Sequence, residues 1–251
     1  MYIVLLLQDF FIFTPMTLPF FYIEEYTPDQ QLITLTEDES KHIISVLRMK
    51  IGEALHLTDG KGSLLTAAIT DDHKKKCIVK VLAVSRQPQP VQRIIIAISL
   101  LKNNKRLEWF LEKATEIGVA EIIPLICART ERQNFRYDRM KNILISAMLQ
   151  SQQCWLPVLH EPVKFENLVM SRLKEEIKLI AHCDEGDKQS LTNLITSPTL
   201  HRLMAIGPEG DFTKEEVELA LANNFIPVTL GQTRLRTETA GIAAAALMCI
   251  K

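Results

Sequence analysis

Two short turns near the C-terminus carry the residues best suited to chemistry. The first reads Ala205-Ile206-Gly207-Pro208-Glu209-Gly210-Asp211, and the second Leu230-Gly231-Gln232-Thr233-Arg234-Leu235-Arg236-Thr237-Glu238-Thr239-Ala240. Each follows a short apolar run and feeds a helical pattern, so each reads as strand, turn and helix. Two such units within Leu203–Ala246 place two loops side by side at one edge of a sheet, where open α/β folds bind ligands. Arg236, Glu238, Thr237 and Thr239 precede an apolar helix, a costly position for polar groups unless they pair or bind something. The loops are therefore expected to hold a cofactor, and the rest of the chain to deliver a substrate. The competing role for Arg236 and Glu238 is a structural ion pair that holds the turn.

The elements that must position these turns are legible along the chain. From Phe20 to Ser85 the pattern is mostly strand with one helix. Thr36-Glu37-Asp38-Glu39 is a capping box, with Ile43, Ile44 and Leu47 expected on one face, Arg48 and Lys50 closing the helix and Gly52 just past it. Ala54–Thr58, the turn Asp59-Gly60-Lys61-Gly62 and Leu64–Ile69 read as a hairpin, followed by a strand over Cys77–Leu82, which together predict a small β-barrel. Pro88-Gln89-Pro90 reads as a stiff linker, so the boundary is expected at residues 86 to 91. Beyond it, Arg93–Leu101 is a β-branched run suited to a buried parallel strand. A helix with Leu107, Phe110, Leu111, Ala114 and Ile117 on one face follows, stopped by Gly118. Glu121–Ile126 and Lys178–Cys183 are further strands, and Asp138 is expected to cap a helix carrying Ile143, Leu144, Ala147 and Met148. Thr213-Lys214-Glu215-Glu216 is a second capping box whose helix should turn Val217, Ala220 and Leu221 inward. Ile226–Leu230 is the last strand, and Gly241–Met248 a helix apolar all round, expected to be buried on every side. Alternating strands and helices give an α/β fold with a parallel sheet.

Composition narrows the function. The 251 residues are 47% hydrophobic and 24% charged, with a net charge of −1, so nucleic-acid contact would have to come from local basic patches. The five cysteines are scattered, without metal or disulfide spacing, and fit a reducing cytoplasm. His182-x-Asp184 has no further ligands spaced to complete a metal site, so no metal is expected. Met1–Pro15 is apolar but lacks a basic n-region and a cleavage site, and is too short to span a bilayer. Either Met16 is the expected true start or residues 1–15 are a poorly ordered leader, and no membrane segment is expected. Dinucleotide-binding, P-loop, nucleophile-elbow and H-E-x-x-H motifs are missing.

Taken together, Gly207-Pro208-Glu209-Gly210 and the later Leu230-Gly231 with Leu235-Arg236-Thr237-Glu238-Thr239-Ala240 resemble a known family. It is that of the ribosomal RNA methyltransferases that modify N3 of a uridine in small-subunit (16S) RNA, of the trefoil-knotted SPOUT class. The likeness runs over nearly the whole chain from Met16. Lys113–Val119 with Pro124 resembles the family's K-A-T-E-L-G-V…P segment, and Arg129–Arg132 its basic loop. His42-Ile43 with Val46–Gly52 resembles its N-terminal PUA-like RNA-binding barrel. The sequence departs from the pattern at Asp211, where a second glycine is usual, at Thr233-Arg234, and at Leu149–Gln153, where the family has E-Q-S-x-R.

The resemblance implies a PUA-like domain over residues 16–87 and a knotted methyltransferase domain over 88–251. It implies S-adenosylmethionine held in the knot by Ile206, Gly207, Pro208, Glu209, Gly210, Leu230, Gly231, Leu235, Arg236, Thr237, Thr239 and Ala240. It further implies a cytoplasmic homodimer acting on 16S rRNA or the small ribosomal subunit. Methylation at N3 needs a proton acceptor, for which Glu238 and Glu209 are the carboxylates in the turns, and a charge to steady a uracil oxygen, for which Arg236 is the candidate. Arg48, Lys50, Lys61, Lys102, Lys105, Arg129 and Arg132 are the expected phosphate contacts. The competing readings are a knotted enzyme acting on a ribose 2′-hydroxyl or on transfer RNA, and a ribosome-assembly protein without catalysis.

Overall fold

The computed structural model describes residues 18–131, 133–171, 177–183, 186–195 and 201–250. The leader, Met16, Arg132 and Asp184 lie outside these residues. The described chain divides into two compact units, one holding the residues up to Leu57 with Leu64–Ser85, the other Thr58–Ser63 with the chain from Arg86 onward.

The first unit is built on five strands, β1 (Phe20–Tyr22), β2 (Leu32–Thr34), β3 (Ala54–Thr58), β4 (Ser63–Asp71) and β5 (Ile78–Arg86), paired in the order β1-β3-β4-β5-β2. Alternation along β3 and β4 buries Leu55, Leu57, Leu65, Ala67 and Ile69, as a strand with one core-facing side requires. Helix α1 (Glu37–Lys41) opens on the expected capping box: Thr36 Oγ1 accepts from the Glu39 N–H, and Glu39 accepts from the Thr36 N–H at 3.1 Å. The chain then continues as one π-turn over His42–Val46, the Leu47 N–H donating to His42 O at 2.9 Å. This corrects the sequence expectation. The wider turn ends the helix before Arg48, which takes φ +59°, and rotates Leu47 outward to 43% exposure while Ile43 stays buried.

The second unit is an α/β layer structure. Its elements are β6 (Arg93–Ser99), α2 (Asn104–Ile117), β7 (Glu121–Ile126), α3 (Tyr137–Gln150), β8 (Val158–Leu159), β9 (Val163–Lys164), α4 (Phe165–Met170), β10 (Ile177–Ala181), β11 (Gln189–Ser190), α5 (Leu191–Leu194), β12 (His201–Ile206), α6 (Lys214–Ala222), β13 (Phe225–Thr229) and α7 (Thr237–Cys249). The strands pair in parallel in the order β11-β13-β10-β12-β6-β7-β8, with β9 also beside β7. Period-two alternation in β6 sends Ile94, Ile96 and Ile98 to a core shared with α2, α3 and α7, and Ile95 and Ala97 to one shared with Phe165, Phe212 and Val217. Both faces of the sheet are thus covered, which is why its strands read as continuous apolar runs.

Local signals set the helix ends. Gly118, at φ +94°, terminates α2, and Thr213 and Glu216 form the reciprocal box that starts α6. Three expectations are corrected. Asp138 lies in the first turn of α3, where its charge suits the helix dipole, and the cap position belongs to Arg136. Leu221 is 43% exposed because α6 buries only its Val217–Ala220 side. Helix α7 is not enclosed on every side: Gly241, Ala244, Ala245 and Met248 are buried, whereas Ile242, Ala243, Ala246 and Leu247 are half-buried.

The buried side of α7 packs against β6 and α2. A Cβ built on Gly241 would lie 2.6 Å from Phe110 Cε2 and 3.0 Å from Ile98 Cδ1, and Phe110 is fully buried and cannot swing away. Glycine to alanine inside an exposed helix ordinarily stabilises by about 1 kcal/mol. Here overpacking reverses the sign, and Gly241→Ala is expected to destabilise the chain by roughly 1–3 kcal/mol in urea denaturation. An unchanged or raised midpoint would contradict this packing.

Candidate active site

Parallel pairing brings the strand ends level. Ile206 of β12 pairs with Ile98 of β6 and Ala181 of β10, and Ala181 pairs with Val228 of β13. The loops that follow all four strands therefore leave the same edge of the sheet. The loops after β10, β12 and β13 enclose a cleft of about 710 Å³, floored by Ala181, Ile206 and Val228 and walled by both glycine turns. Ten of the residues expected to hold a cofactor line it: Ile206, Gly207, Pro208, Glu209, Leu230, Gly231, Leu235, Arg236, Thr237 and Ala240. Gly210, Thr239 and Glu238 are not in its lining.

The first turn is held from three directions. Gly207 leaves little room for a side chain, since a Cβ would lie 3.0 Å from the Phe212 ring and 3.2 Å from the Phe212 backbone nitrogen. Arg129 donates through Nη1 to the carbonyls of Gly210 at 2.7 Å and Phe212 at 3.3 Å. Glu216 ties in the neighbouring loop, accepting from the Ala128 N–H at 2.8 Å. Asp211 adopts φ +64°, a conformation that favours glycine but that aspartate tolerates better than most residues. Its carboxylate accepts from the Cys183 N–H at 2.7 Å and the Phe212 N–H at 2.9 Å. The charge at this position thus joins the first turn to the chain after β10. Glu209 is exposed at the mouth and accepts from the Lys102 N–H at 3.3 Å.

The second turn leads into α7. Arg236, at the helix cap, is exposed and lines the cleft. Glu238, in the first turn of α7, pairs with Arg106 Nε at 3.6 Å, not with Arg236, and its side chain is 8% exposed. The other carboxylate oxygen, Oε2, has no hydrogen-bond partner among the described residues. Glu238 and Thr239 line a second pocket of about 620 Å³ with Lys105, Arg106 and Trp109 of α2. Arg234, Leu235 and Arg236 form a wall common to that pocket and the cleft.

The expected phosphate contacts fall into separate places. Arg48 and Lys50 are exposed in the first unit, Lys50 donating its N–H to Glu53. Lys61 is exposed in the hairpin turn that groups with the second unit. Lys102 pairs with Glu131 at 2.7 Å, which raises its pKa through that hydrogen bond, and Lys105 lines the second pocket. Arg129 is committed to the first turn. Gln153, where the resemblance leads one to expect an arginine, donates to the carbonyls of Thr115 and Glu116 at 2.9 and 3.0 Å and so caps the end of α2.

Sequence reasoning weighed His182 only as a metal ligand, did not place it, Cys183, Lys188, Val228 or Thr229 in the cleft, and did not single out Trp109. The first five come from strand ends brought in by topology. Trp109 carried a signal, an aromatic residue on the polar side of the α2 stripe. Burial, and then the Asp211 carboxylate, push the Cys183 thiol above its ordinary range. A larger depression of about 1040 Å³ lies along α2 and α3, but its wall includes neither glycine turn, and its Arg139 is engaged by Glu108 at 2.6 Å. Among the described residues no group of three or more His, Cys, Asp or Glu is placed to hold a metal ion, and no helix is long and apolar enough to cross a membrane.

Residues 87–249 match the family model of the RNA methyltransferase domain, and residues 35–82 that of the RNA methyltransferase PUA domain. The chain belongs to this RNA methyltransferase family. It is similar to a probable rRNA-methyltransferase from Porphyromonas gingivalis, at 39% identity and a TM-score of 0.83 over 91% of this chain and 95% of that one. It is also similar to the Neisseria gonorrhoeae ribosomal RNA small subunit methyltransferase E, whose structure is bound to S-adenosyl methionine, at 30% identity and a TM-score of 0.82 over 92% and 96% of the two chains. The ribosomal RNA small subunit methyltransferase E of Rickettsia conorii is 29% identical over 230 residues, 90% of this chain and 92% of that protein.

Asp211 offers a direct check on the cleft. Asp211→Gly keeps the backbone conformation and removes the acceptor. The Cys183 and Phe212 amides should then exchange hydrogen faster, and stability should fall by roughly 1–3 kcal/mol. Unaltered exchange at Cys183 would show that the carboxylate does not join the two loops.

Proposed function

We propose that this protein is an S-adenosylmethionine-dependent methyltransferase acting on N3 of a uridine in small-subunit (16S) ribosomal RNA, in the cytoplasm. The observation that carries the reading is the coincidence of both family turns in one cleft at the level ends of β12, β10 and β13. The cleft suits the cofactor in kind and size. Its volume is in the range of small-molecule sites, and apolar Ile206, Leu235 and Ala240 offer a surface for an adenine ring. The backbone groups of Gly207, Leu230 and Gly231 would bind the ring edge, with Thr237 and Arg236 near the polar end. The bound cofactor supplies an electrophilic methyl group on a sulfonium.

The chain's own residues do the rest. A uracil must be held with N3 in line with the methyl group, and its N3 proton must leave. Glu238 is the favoured acceptor over Glu209, because it is buried beside Arg106 and has one carboxylate oxygen uncommitted among the described residues, whereas Glu209 is exposed and accepts from a backbone amide. Arg236, on the shared wall, steadies charge on a uracil oxygen. Residues 16–87 serve as the PUA-like RNA-binding domain and 88–251 as the catalytic domain, and Arg48, Lys50, Lys61, Lys102, Lys105 and Arg132 take phosphates while Arg129 braces the first turn.

Two further features belong to this reading. Strand β13 lies beyond β10, yet α7 packs against β6 and α2, so the 230–236 segment must cross the ends of β10 and β12. That crossing supports a threaded, knotted tail. The half-buried side of α7, with Ile242, Ala243, Ala246 and Leu247, supports a homodimer joined through this side and the adjoining part of α2.

The test is nucleoside mass mapping of small-subunit RNA with and without this gene, joined to single-turnover assays at saturating S-adenosylmethionine. A methyl on N3 of one uridine should vanish with the gene. Glu238→Gln and Arg236→Ala should each slow transfer about 100-fold or more. Full single-turnover rates in both variants would sink the assignment of roles, and a methyl on ribose would sink the base.

A further inference from the structure

The second pocket contains an aromatic ring and a carboxylate oxygen that the fold itself does not use. Trp109 is 44% exposed, although α2 buries Leu107, Phe110 and Leu111 on its other side. Glu238 is buried with Oε2 unpartnered among the described residues, a costly state for a carboxylate that a ligand N–H would relieve. Around them stand Lys105, Arg106 and Arg234. An exposed aromatic ring, an acceptor in need of a donor and three cations are the components of a nucleotide site.

We infer that this pocket takes the target base, turned out of the RNA, with Trp109 as its stacking partner. The inference rests on the uridine-methyltransferase reading and assigns its substrate subsite. Enzymes that modify a base must withdraw it from its neighbours, and an aromatic face replaces the stacking that is lost. The imide N–H of uracil is directed at the Glu238 carboxylate, which must rotate to present an oxygen, since Oε2 as it stands is enclosed. Cytosine presents a lone pair at the same ring position, and two acceptors facing each other repel, so the carboxylate selects uracil over cytosine. Lys105 and Arg234, on α2 and on the second turn, are left for the flanking phosphates. The common wall of Arg234, Leu235 and Arg236 puts the subsite directly beside the cofactor cleft. Trp109 is a positioning residue in this scheme, since it orients the base without taking part in the transfer.

The experiment compares the full-length protein with Trp109→Phe and Trp109→Ala. The substrates are small ribosomal subunits and naked small-subunit RNA from cells lacking this gene. S-adenosylhomocysteine calorimetry and sedimentation are run alongside. Truncating an exposed side chain should leave the fold intact, and the phenylalanine variant keeps a stacking face. Trp109→Ala should lower kcat/KM for RNA roughly 5- to 100-fold, the range for loss of one base–aromatic stack. Trp109→Phe should recover most of it, and neither should weaken S-adenosylhomocysteine binding. Wild-type kcat/KM in Trp109→Ala overturns the subsite and leaves the methyltransferase reading intact. Equal impairment in both variants overturns stacking. A shift in sedimentation toward a smaller species in Trp109→Ala assigns the ring to a subunit interface and overturns the subsite. Wild-type protein that methylates neither RNA overturns the reading and the subsite together.

Discussion

The arrangement of this molecule depends on how closely α7 lies against β6 and α2. Gly241 meets Phe110 and Ile98 at a distance that leaves no room for a side chain. That contact fixes the start of α7 beside the C-terminal ends of the sheet strands. It thereby brings Arg236, Thr237 and Ala240 into the cleft wall and Glu238 opposite Arg106. Both pockets are consequences of one helix seated at one depth. A looser α7 would separate the carboxylate from the cleft and dissolve the wall that the two pockets share.

The electrostatics are local, as a net charge of −1 requires. Several cations near the sheet edge are already engaged, Lys102 by Glu131 and Arg129 by the carbonyls of Gly210 and Phe212. Arg129 therefore acts first on the architecture, since its guanidinium braces the turn that forms one side of the cleft. The acceptors matter as much as the cations. Asp211 and Glu216 spend their carboxylates on backbone amides of neighbouring loops, charge-assisted bonds that preorganise a site made largely of turns.

Where the sequence could be read, its signals were short in range. The Thr213–Glu216 capping box, the Gly118 stop and the apolar run of β6 each concern residues within a turn or a strand of one another. Their positions follow from period and cap chemistry alone. What was not legible involves partners far apart in the chain. Glu238 was weighed as a partner of Arg236, two residues away, but pairs with Arg106, whose place beside it is set by the packing of α7 on α2. Asp211 reads as a mere departure from a glycine until β10 brings Cys183 to its carboxylate. The π-turn at His42–Val46 exposes Leu47 against its helical period, because the period itself changes there. The half-buried side of α7, with Ile242 and Leu247, is no less apolar than its buried side, so hydrophobicity could not separate them.

The central claim is that the level strand ends and α7 make one cofactor cleft opening onto a base pocket. A crystal structure of the protein with S-adenosylhomocysteine tests it most directly. The account predicts the nucleoside between the two glycine turns, over Ile206 and Ala240, with the sulfur toward the wall formed by Arg234, Leu235 and Arg236. Ligand density along α2 and α3, or in the cleft with the sulfur directed away from that wall, would contradict it.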